Sequence, residues 1–488
     1  MKNIFEAAGS SKFFLSSLTL DNQFQKFDDF LKWFHEKKKE DNFIVNEIPF
    51  SGLDQWDFLD NKTALVHHSG KFFKIEGIRV RTNFGGQKEW EQPIINQPEI
   101  GILGILTKLF NGTLYFLMQA KMEPGNVNGL QLSPTIQATK SNFTRVHKGK
   151  SPDYLNYFIE GSRSEVLIDQ LQTEQGGRFL RKRNRNIVIR IDEEVEVLPN
   201  FCWLTLGEIK KLLELDNFVN MDARSVISTI PLMNDQLILD AKKIDWDNNS
   251  DLSINGINLN LLNLDLVQSI CCEKGQFRST DQIISWYTSQ KVKYELSIET
   301  IPLSQLKDWK ITSDTILNNE RYFSVIGVEV RSGTREVKTW TQPLIKDSNT
   351  GLLGFLTKKI NGILHFLIQA KVEPGNLDII ELSPTVSCSN VTHLMKDTSS
   401  WPPFLEYFIN TSHSQILYNT IQSEEGGRFF HLQNRNMIIE IDEALDVVLP
   451  GNYIWMTLSQ MMDFMKYSMF NIEARSLVSS LNFFRKEA

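Results

Sequence analysis

The chain is long, moderately hydrophobic and slightly acidic: its 488 residues are 41% hydrophobic and 23% charged, with a formal net charge of -7. This length favours two or more domains, and the acidic balance argues against binding to nucleic acid or to an anionic membrane surface, which requires a dominant cationic face. No stretch approaches about eighteen uninterrupted apolar residues, and the first residues do not resemble a secretory signal, so we expect a soluble, cytoplasmic protein.

Local patterns in the first half predict both helices and strands. FLKWF at 30–34 has a helical pattern, and TLYFLMQAK at 113–121 is dense in β-formers. The Pro and Gly of EPGN at 123–126 fit the central positions of a type II β-turn, because proline fixes φ and glycine accepts a positive φ. SEVLIDQLQ at 164–172 carries apolar residues at helical spacing ahead of two glycines, which predicts a helix that ends there.

The end of the first half continues this mixture. NIVIRID at 186–192 predicts a further strand. Thr205 and Glu208 have the spacing of a helix capping box before an apolar run, as do Thr457 and Gln460 in the second half. A closing helix is expected from Asp222 in the first half and from Glu473 in the second. The half is therefore predicted to be an α+β module, with a mixed, twisted sheet and helices packed on it.

The same patterns recur in order in the second half, about 250 positions later. The matched segments are 48–56 and 301–309, 90–95 and 340–345, 101–121 and 351–371, 119–126 and 369–376, 172–193 and 422–443, and 220–228 and 471–479. A repeated unit of about 230 residues has the size of a domain rather than of a solenoid repeat. We predict a tandem duplication, with modules at 1–240 and 261–488 and a polar linker at 241–260.

The repeated octapeptide QAK(M/V)EPGN supplies the first candidate site residues. Turn geometry explains its Pro and Gly but not the charged and amide residues around them. These residues are Lys121, Glu123 and Asn126 in the first copy, and Lys371, Glu373 and Asn376 in the second. They indicate either a site at the end of a strand or exposed ion pairs, which contribute only about 0–1 kcal/mol each.

The repeated GGRF segment suggests a phosphate site. Two glycines let the backbone approach a ligand closely, and Arg178 or Arg428 can offer a bidentate fork to a phosphate. The alternative is a strand edge that is protected by charge. Trp90 and Trp340, in the repeated WxQP segments, are candidates for stacking on a base, or else core residues.

Several common catalytic signatures do not occur in the sequence. It lacks GxxxxGK[ST], GxGxxG at a strand–helix junction, HExxH and GxSxG. The histidines and cysteines do not have metal-ligand spacing, so no metal site is predicted.

With these motifs in hand, the chain resembles the NDP-hexose 2,3-dehydratases of deoxysugar biosynthesis. The resemblance rests on the two WxQP segments, the two QAKxEPGN segments followed by LSPT, the two GGRF…NRN segments and the NMDARS ending. It implies a homodimer of subunits with two Nudix-like modules and a nucleotide-sugar pocket in each. The sequence lacks the magnesium-binding Nudix box, so the resemblance in fold does not predict pyrophosphate hydrolysis.

The resemblance also implies a reaction on dTDP-4-keto-6-deoxyglucose that needs no redox cofactor. We expect the catalytic residues to be Glu424, Glu373 and Lys371, although the duplication gives each of them a twin, such as Glu174 or Glu123 for the base and Lys121 for the enolate. The expected substrate-binding residues are Trp90, Gln172, Thr173, Glu174, Gln175, Gly176, Gly177, Arg178, Trp340, Gln422, Ser423, Gly426, Gly427, Arg428 and Asn434.

Two other functions remain open at this point. One is a metal-dependent Nudix-type pyrophosphohydrolase, and the other is a non-catalytic sugar-nucleotide-binding protein. For the dehydratase, the reactive diketone product implies a downstream 3-ketoreductase as a pathway partner, with no nucleic acid or membrane partner.

Overall fold

The computed structural model describes residues 11–40, 42–139, 152–159, 164–233, 235–242, 244, 253–254, 257–258, 262–271, 274–318, 323–333, 337–347, 349–389, 391–395 and 401–483. Within these residues the chain has a mixed α+β fold that is built twice, as the repeated sequence predicts. No helix in this part of the chain has both the length and the apolar composition needed to cross a bilayer. Most of the predicted linker at 241–260 lies outside the described residues, so the proposed module boundaries stay predictions.

The first half contains five helices and twelve strands within its described residues. The helices are α1 (Ser11–Ser17), α2 (Phe27–Glu40), α3 (Leu206–Leu212), α4 (Met221–Ser228) and α5 (Asp235–Ala241). The strands are β1 (Ile44–Ile48), β2 (Trp56–Phe58), β3 (Ala64–His67), β4 (Lys74–Thr82), β5 (Glu89–Asn96), β6 (Gly101–Phe110), β7 (Thr113–Met122), β8 (Leu130–Ser133), β9 (Ile136–Ala138), β10 (Glu165–Thr173), β11 (Arg183–Ile191) and β12 (Phe201–Thr205).

The second half repeats this order after a short hairpin of β13 (Ser253–Ile254) and β14 (Ile257–Asn258). Its helices are α6 (Leu264–Cys271), α7 (Thr280–Lys293), α8 (Val391–Leu394), α9 (Leu405–Ile409), α10 (Leu458–Met465) and α11 (Ile472–Ser479). Its strands are β15 (Leu296–Ile301), β16 (Lys310–Ile311), β17 (Thr315–Leu317), β18 (Ser324–Arg331), β19 (Thr339–Lys346), β20 (Gly351–Ile360), β21 (Ile363–Lys371), β22 (Glu381–Ser383), β23 (Val386–Cys388), β24 (Ile416–Ser423), β25 (Phe429–Phe430), β26 (Gln433–Glu440) and β27 (Tyr453–Thr457).

Most of the local predictions are confirmed, and two are wrong: the helix at 164–172 and the type II turn at 123–126. The helices at 30–34 and from Asp222 and Glu473, the strands, and both capping boxes are observed. Residues 164–172, however, form strand β10 rather than a helix. A bulge between Val166 and Ile168 breaks the strict alternation of side chains along β10, so the apolar residues only imitate a helical spacing.

Each half contributes one large mixed sheet that carries the QAKxEPGN strand. The first large sheet has the order β10-β11-β6-β7-β12, with β8 and β9 added to β7 and β6. The second large sheet repeats this arrangement with β24-β26-β20-β21, to which β22, β23 and β27 are added. In each large sheet one central pair of strands is parallel, β11 with β6 and β26 with β20. Helices cover one face of each large sheet and bury its apolar side chains.

The two halves exchange strands in their smaller sheets. Strand β1 of the first half pairs along its length with β18 of the second, and β15 of the second half pairs with β4 of the first. The two small sheets share one apolar core, to which both halves contribute aromatic residues such as Trp56, Phe179, Trp309 and Phe429. The halves are therefore interlocked rather than joined only through a linker.

A pair of buried arginines also joins the halves. Helices α4 and α11 pack against each other, and each carries a fully buried arginine, Arg224 and Arg475. Arg224 donates to the carbonyl of Ser423 and to the hydroxyl of Ser476, both in the second half. Arg475 donates to the carbonyl of Thr173 at 2.7 Å and to the hydroxyl of Ser225, both in the first.

Candidate active site

The EPGN turn of each half lies against the GGRF segment of the other half. Gly125 donates its backbone N–H to the carbonyl of Gly426 at 2.7 Å, and Gly375 donates to the carbonyl of Gly176 at 2.6 Å. A Cβ atom on Gly125 would lie only 1.5 Å from the carbonyl oxygen of Phe429. The predicted type II turn is wrong, because neither Gly125 nor Gly375 has a positive φ. Glycine is required there by the close approach of the other half.

This arrangement creates two clefts, each built from both halves. The first cleft contains Lys121 and Glu123 and faces the Gly426–Gly427 segment, and the second contains Lys371 and Glu373 and faces Gly176 and Gly177. A cavity of about 1090 Å³ opens in the first cleft. Charged and amide residues that line it include Lys121, Glu123, Gln137, Glu174, Lys182, Asn184, Asp222, Glu425 and Arg428. Its aromatic lining includes Trp56, Phe72, Phe73, Phe179 and Trp340.

A lysine, two carboxylates and an amide form a connected group in the first cleft. The Lys121 ammonium donates to Glu123 Oε1 at 3.1 Å and to Gln137 Oε1 at 2.6 Å. The amide nitrogen of Gln137 donates to Asp222 Oδ2, and more weakly to Glu123 Oε1 at 3.4 Å. Asp222 stands in the first turn of α4, which Asn220 caps. Strand β7, the EPGN turn, strand β9 and α4 thus each supply one member of the group.

Three carboxyl groups of the first cleft have raised pKa values. Burial raises the pKa of Asp222 well above its ordinary value, and the nearby Glu425, Glu123 and Glu174 carboxylates add to this effect. Burial raises the pKa of Glu425 to about 7 against the opposing charge of Arg428. Burial also raises the pKa of Glu174, although Arg475 and a hydrogen bond from Asn184 oppose it. Closely placed carboxyl groups in a site with little water hold protons near neutral pH.

The second cleft keeps the same plan, and it contains the three predicted catalytic residues. Lys371 and Glu373 form an ion pair at 2.8 Å, and Lys371 donates to Ser387 Oγ at 3.1 Å. Glu424 is buried, and it accepts hydrogen bonds from Asn434 and from the amide of Gln175. Burial raises the pKa of Glu424 to about 7. None of Lys371, Glu373 and Glu424 is among the residues that line the 1090 Å³ cavity.

The two clefts differ at several matched positions. Gln137 of the first cleft corresponds to Ser387 of the second, and Glu425 corresponds to Gln175. Lys182, which lines the cavity, corresponds to Leu432, whose side chain packs in the core shared by the small sheets. The first cleft therefore holds a group of carboxyls and an additional lysine. The second cleft has an amide in place of one carboxyl and an apolar residue in place of that lysine.

The two GGRF arginines each lie over an aromatic ring. The guanidinium of Arg428 lies 4.2 Å from the ring centre of Phe73, and it lines the first cavity. The guanidinium of Arg178 lies 4.0 Å from the ring centre of Phe323, and its Nη2 atom is 4.0 Å from Asp347. Each arginine also donates to the carbonyl of the glycine before it, Gly427 or Gly177. Arg428 is therefore the GGRF arginine that faces the cavity in the first cleft.

The WxQP segments support the GGRF segments. The indole N–H of Trp90 donates to Gln92 Oε1, and the Gln92 amide donates to the carbonyl of Gly177 at 2.9 Å. The same chain of bonds runs from Trp340 through Gln342 to Gly427. Trp340 also lines the first cavity, whereas Trp90 packs against the apolar cluster of the first small sheet.

Four other predicted binding residues contact the buried arginines instead of the cavity. Gln172 and Thr173 accept from Arg475, and Gln422 and Ser423 accept from Arg224. None of the four lines the 1090 Å³ cavity. The cavity instead brings in Gln137, Lys182, Asp222 and Glu425, which were not among the predicted site residues. Lys182, Asp222 and Glu425 lie inside matched segments of the repeat, so the sequence alone marked their positions, whereas Gln137 lies outside these segments.

Comparison with known proteins agrees with the duplicated organisation. A family model described as NDP-hexose 2,3-dehydratase matches residues 27–230 and again residues 280–481. A protein of Saccharopolyspora spinosa named dTDP-4-dehydro-6-deoxy-alpha-D-glucopyranose 2,3-dehydratase is 42% identical over 476 residues, which cover 96% of this chain and 94% of that protein. Proteins with the same name from Amycolatopsis orientalis and Streptomyces violaceoruber are each 38% identical, and cover 96% and 92% of this chain and 93% and 96% of their own length.

Proposed function

This chain belongs to the NDP-hexose 2,3-dehydratase family, and we propose that it converts dTDP-4-dehydro-6-deoxyglucose into the 3,4-diketo-2,6-dideoxy sugar. Each of the three relatives is named a 2,3-dehydratase of this sugar nucleotide and matches the chain over nearly its whole length. The single observation in the structure that carries the proposal is the group of an ammonium and several proton-holding carboxyls in one cavity of about 1090 Å³.

The reaction needs a base, an acid and a stabiliser of an enolate. The C4 ketone acidifies the proton on C3, a base removes it, and the electron pair forms an enolate with its charge on the C4 oxygen. The C2–O bond then breaks as an acid protonates the leaving hydroxyl, so one water is lost. The remaining C2–C3 enol takes up a proton at C2 and releases the proton of its C3 hydroxyl, which gives the second ketone at C3. A positioned proton-transfer group typically contributes about 10²- to 10⁴-fold to such a rate.

We assign these roles to the first cleft. Glu425 is the base, because its pKa of about 7 leaves it half ionised near neutral pH. Asp222 is the acid, because burial and its carboxylate neighbours raise its pKa well above the ordinary value, which favours the protonated form. Lys121 supplies fixed hydrogen-bond donors for the enolate oxygen. The diphosphate is held by Arg428 and Lys182, and the base of the nucleotide lies against the aromatic side of the cavity.

Only the enolate stabiliser of this assignment, Lys121, is the twin of a catalytic residue that the sequence favoured, Lys371. The proposed base Glu425 has Gln175 as its counterpart, so the glutamate of the second cleft to compare with it is Glu424. The test compares Glu425→Gln with Glu424→Gln in the same assay. A loss of turnover in Glu425→Gln alone supports the first cleft, and a loss in Glu424→Gln alone supports the second. If both variants keep wild-type turnover while they bind dTDP, the proton-transfer group is neither glutamate.

The remaining features of the family resemblance stay proposals. We retain the Nudix-like assignment of each α+β module, the homodimer and the cytoplasmic location. A 3-ketoreductase that consumes the reactive diketone remains the proposed pathway partner.

One coupled assay tests the function against its two alternatives. The protein is incubated with dTDP-4-dehydro-6-deoxyglucose in the presence of EDTA, then with a 3-ketoreductase and NADPH, and the products are separated. A 2,6-dideoxy-4-keto product formed despite EDTA supports the dehydratase. Thymidine monophosphate that appears only when magnesium replaces EDTA supports a pyrophosphohydrolase. Binding of dTDP without turnover supports a non-catalytic sugar-nucleotide-binding protein.

A further inference from the structure

Gln137 occupies the centre of the hydrogen-bonded group in the first cleft. It lies on the short strand β9, where its backbone is paired with Leu103 of β6. Its amide oxygen is 2.6 Å from Lys121 Nζ, and its amide nitrogen contacts Asp222 Oδ2 and lies 3.4 Å from Glu123 Oε1. No role in the reaction has been given to Gln137 so far. It is nevertheless the side chain that connects the Lys121–Glu123 ion pair to Asp222.

The orientation of this amide follows from the chemistry of its neighbours. An ammonium has donors and no acceptor, so Lys121 must face the amide oxygen of Gln137. The amide N–H groups then point at the carboxyls of Asp222 and Glu123, where they can only donate. Asp222 Oδ2 is therefore an acceptor in both protonation states of that residue. When Asp222 carries a proton, the proton must lie on Oδ1.

We propose that Gln137 is a positioning residue of the dehydration, which directs the proton of Asp222 onto Oδ1 and holds the Lys121 ammonium toward the substrate oxygen. This inference rests on the proposed function, with Asp222 as the acid and Lys121 as the enolate stabiliser. An uncharged amide suits the task, because it bridges an ammonium and a carboxyl without a proton of its own to exchange. A hydrogen bond donated to Asp222 also favours its ionised form, which keeps its proton transferable.

The second cleft lacks this bridge. Ser387 stands at the matched position and contacts Lys371 through its hydroxyl at 3.1 Å. A serine has one donor and a much shorter reach than glutamine. Glu473, the counterpart of Asp222, has a carboxylate oxygen, Oε2, without a hydrogen-bond partner among the described residues. The second cleft thus has a serine where the first has the bridging amide.

The experiment compares Gln137→Ser, which copies the second cleft, with Gln137→Glu, which keeps the shape but replaces the donor with a carboxylate. Gln87→Ser makes the first change at an exposed position and serves as the matched control. For each protein we would measure kcat and KM for the sugar nucleotide across pH, and the affinity for dTDP. We expect kcat to fall about 10- to 100-fold in both Gln137 variants, which corresponds to the loss of one hydrogen bond to a charged group in the transition state. The affinity for dTDP should stay within about threefold of wild type.

The pH profile separates positioning from a merely structural role. Without the donated hydrogen bond, the ionised form of Asp222 is less favoured, so the high-pH limb of kcat should move to higher pH in both variants. The inference is overturned if either variant keeps the wild-type kcat and high-pH limb, or if both lose dTDP binding together with turnover. If the wild-type protein forms no dehydrated product, the proposed function is contradicted, and the comparison of variants does not arise.

Discussion

Replacing Glu425 with glutamine should make the protein more stable and almost inactive at the same time. The change gives the first cleft the amide that the second cleft already has at Gln175. Glu425 is partly buried at the cavity wall near the Glu123 and Glu174 carboxylates, and its pKa is raised from an ordinary value of 4.5 to about 7. A neutral glutamine of the same size removes an unfavourable charge from this site while it removes the proposed base.

The size of the stability change follows from the pKa. The folded-state pKa lies above the unfolded value, so the folded protein holds a proton that the unfolded chain releases between pH 4.5 and about 7. The stability contributed by protonated Glu425 is therefore present below pH 4.5 and is lost as the pH rises to about 7. At about 1.4 kcal/mol per pKa unit, the ceiling is roughly 3 kcal/mol. The pKa of about 7 already includes the opposing charge of Arg428, so we expect Glu425→Gln to be more stable than wild type by about 1–3 kcal/mol at pH 8, with the gain shrinking toward pH 5.

Two measurements on the same variant check this reasoning. The first is the midpoint of thermal unfolding between pH 5 and pH 8, with Glu443→Gln, at an exposed glutamate, as the control. The second is kcat in the coupled assay, which should fall about 10²- to 10⁴-fold if Glu425 is the base. The wild-type kcat/KM should rise with pH through about 7, and this limb should vanish in the variant. An unchanged kcat, or a variant that is less stable than wild type at pH 8, would refute the reasoning.

Three further changes test the architecture. Gly125→Ala would bring a Cβ atom to within 1.5 Å of the Phe429 carbonyl oxygen. We expect the free energy of unfolding, measured by thermal unfolding, to fall by several kcal/mol, roughly the cost of strong overpacking. Gly86→Ala is the control and should change little, because Gly86 lies in open space. Arg224→Met leaves buried acceptors of the other half unpaired, at about 1–3 kcal/mol each, and should lower the unfolding midpoint and the affinity for dTDP together. Lys210 is buried, and burial lowers its pKa to about 7. The stability that the protein loses by burying this lysine is therefore zero above pH 10.5 and grows as the pH falls to about 7. Lys210→Met should stabilise the protein by roughly 2–5 kcal/mol at pH 7 and by much less near pH 10.

The sequence was sufficient for the duplication, the α+β class and the family resemblance. Repeats of this length and similarity are visible without coordinates, and capping boxes and β-rich runs depend on neighbouring residues only. Strand β10 was predicted as a helix because local signals do not show how strands pair. The bulge that disturbs the alternation of its side chains forms only when β11 pairs with it.

The composition of each cleft was decided by tertiary structure alone. The family resemblance implied a nucleotide-sugar pocket in each half. Exchange of β1 and β15 between the halves instead sets each EPGN turn against the GGRF segment of the other copy. A local sequence pattern does not show which of two similar surfaces a turn packs against. That depends on how the two halves bury their shared apolar core. For this reason Glu425 and Lys121, about 300 positions apart, line one cavity, although the sequence places Glu425 beside Glu424 in a different cleft.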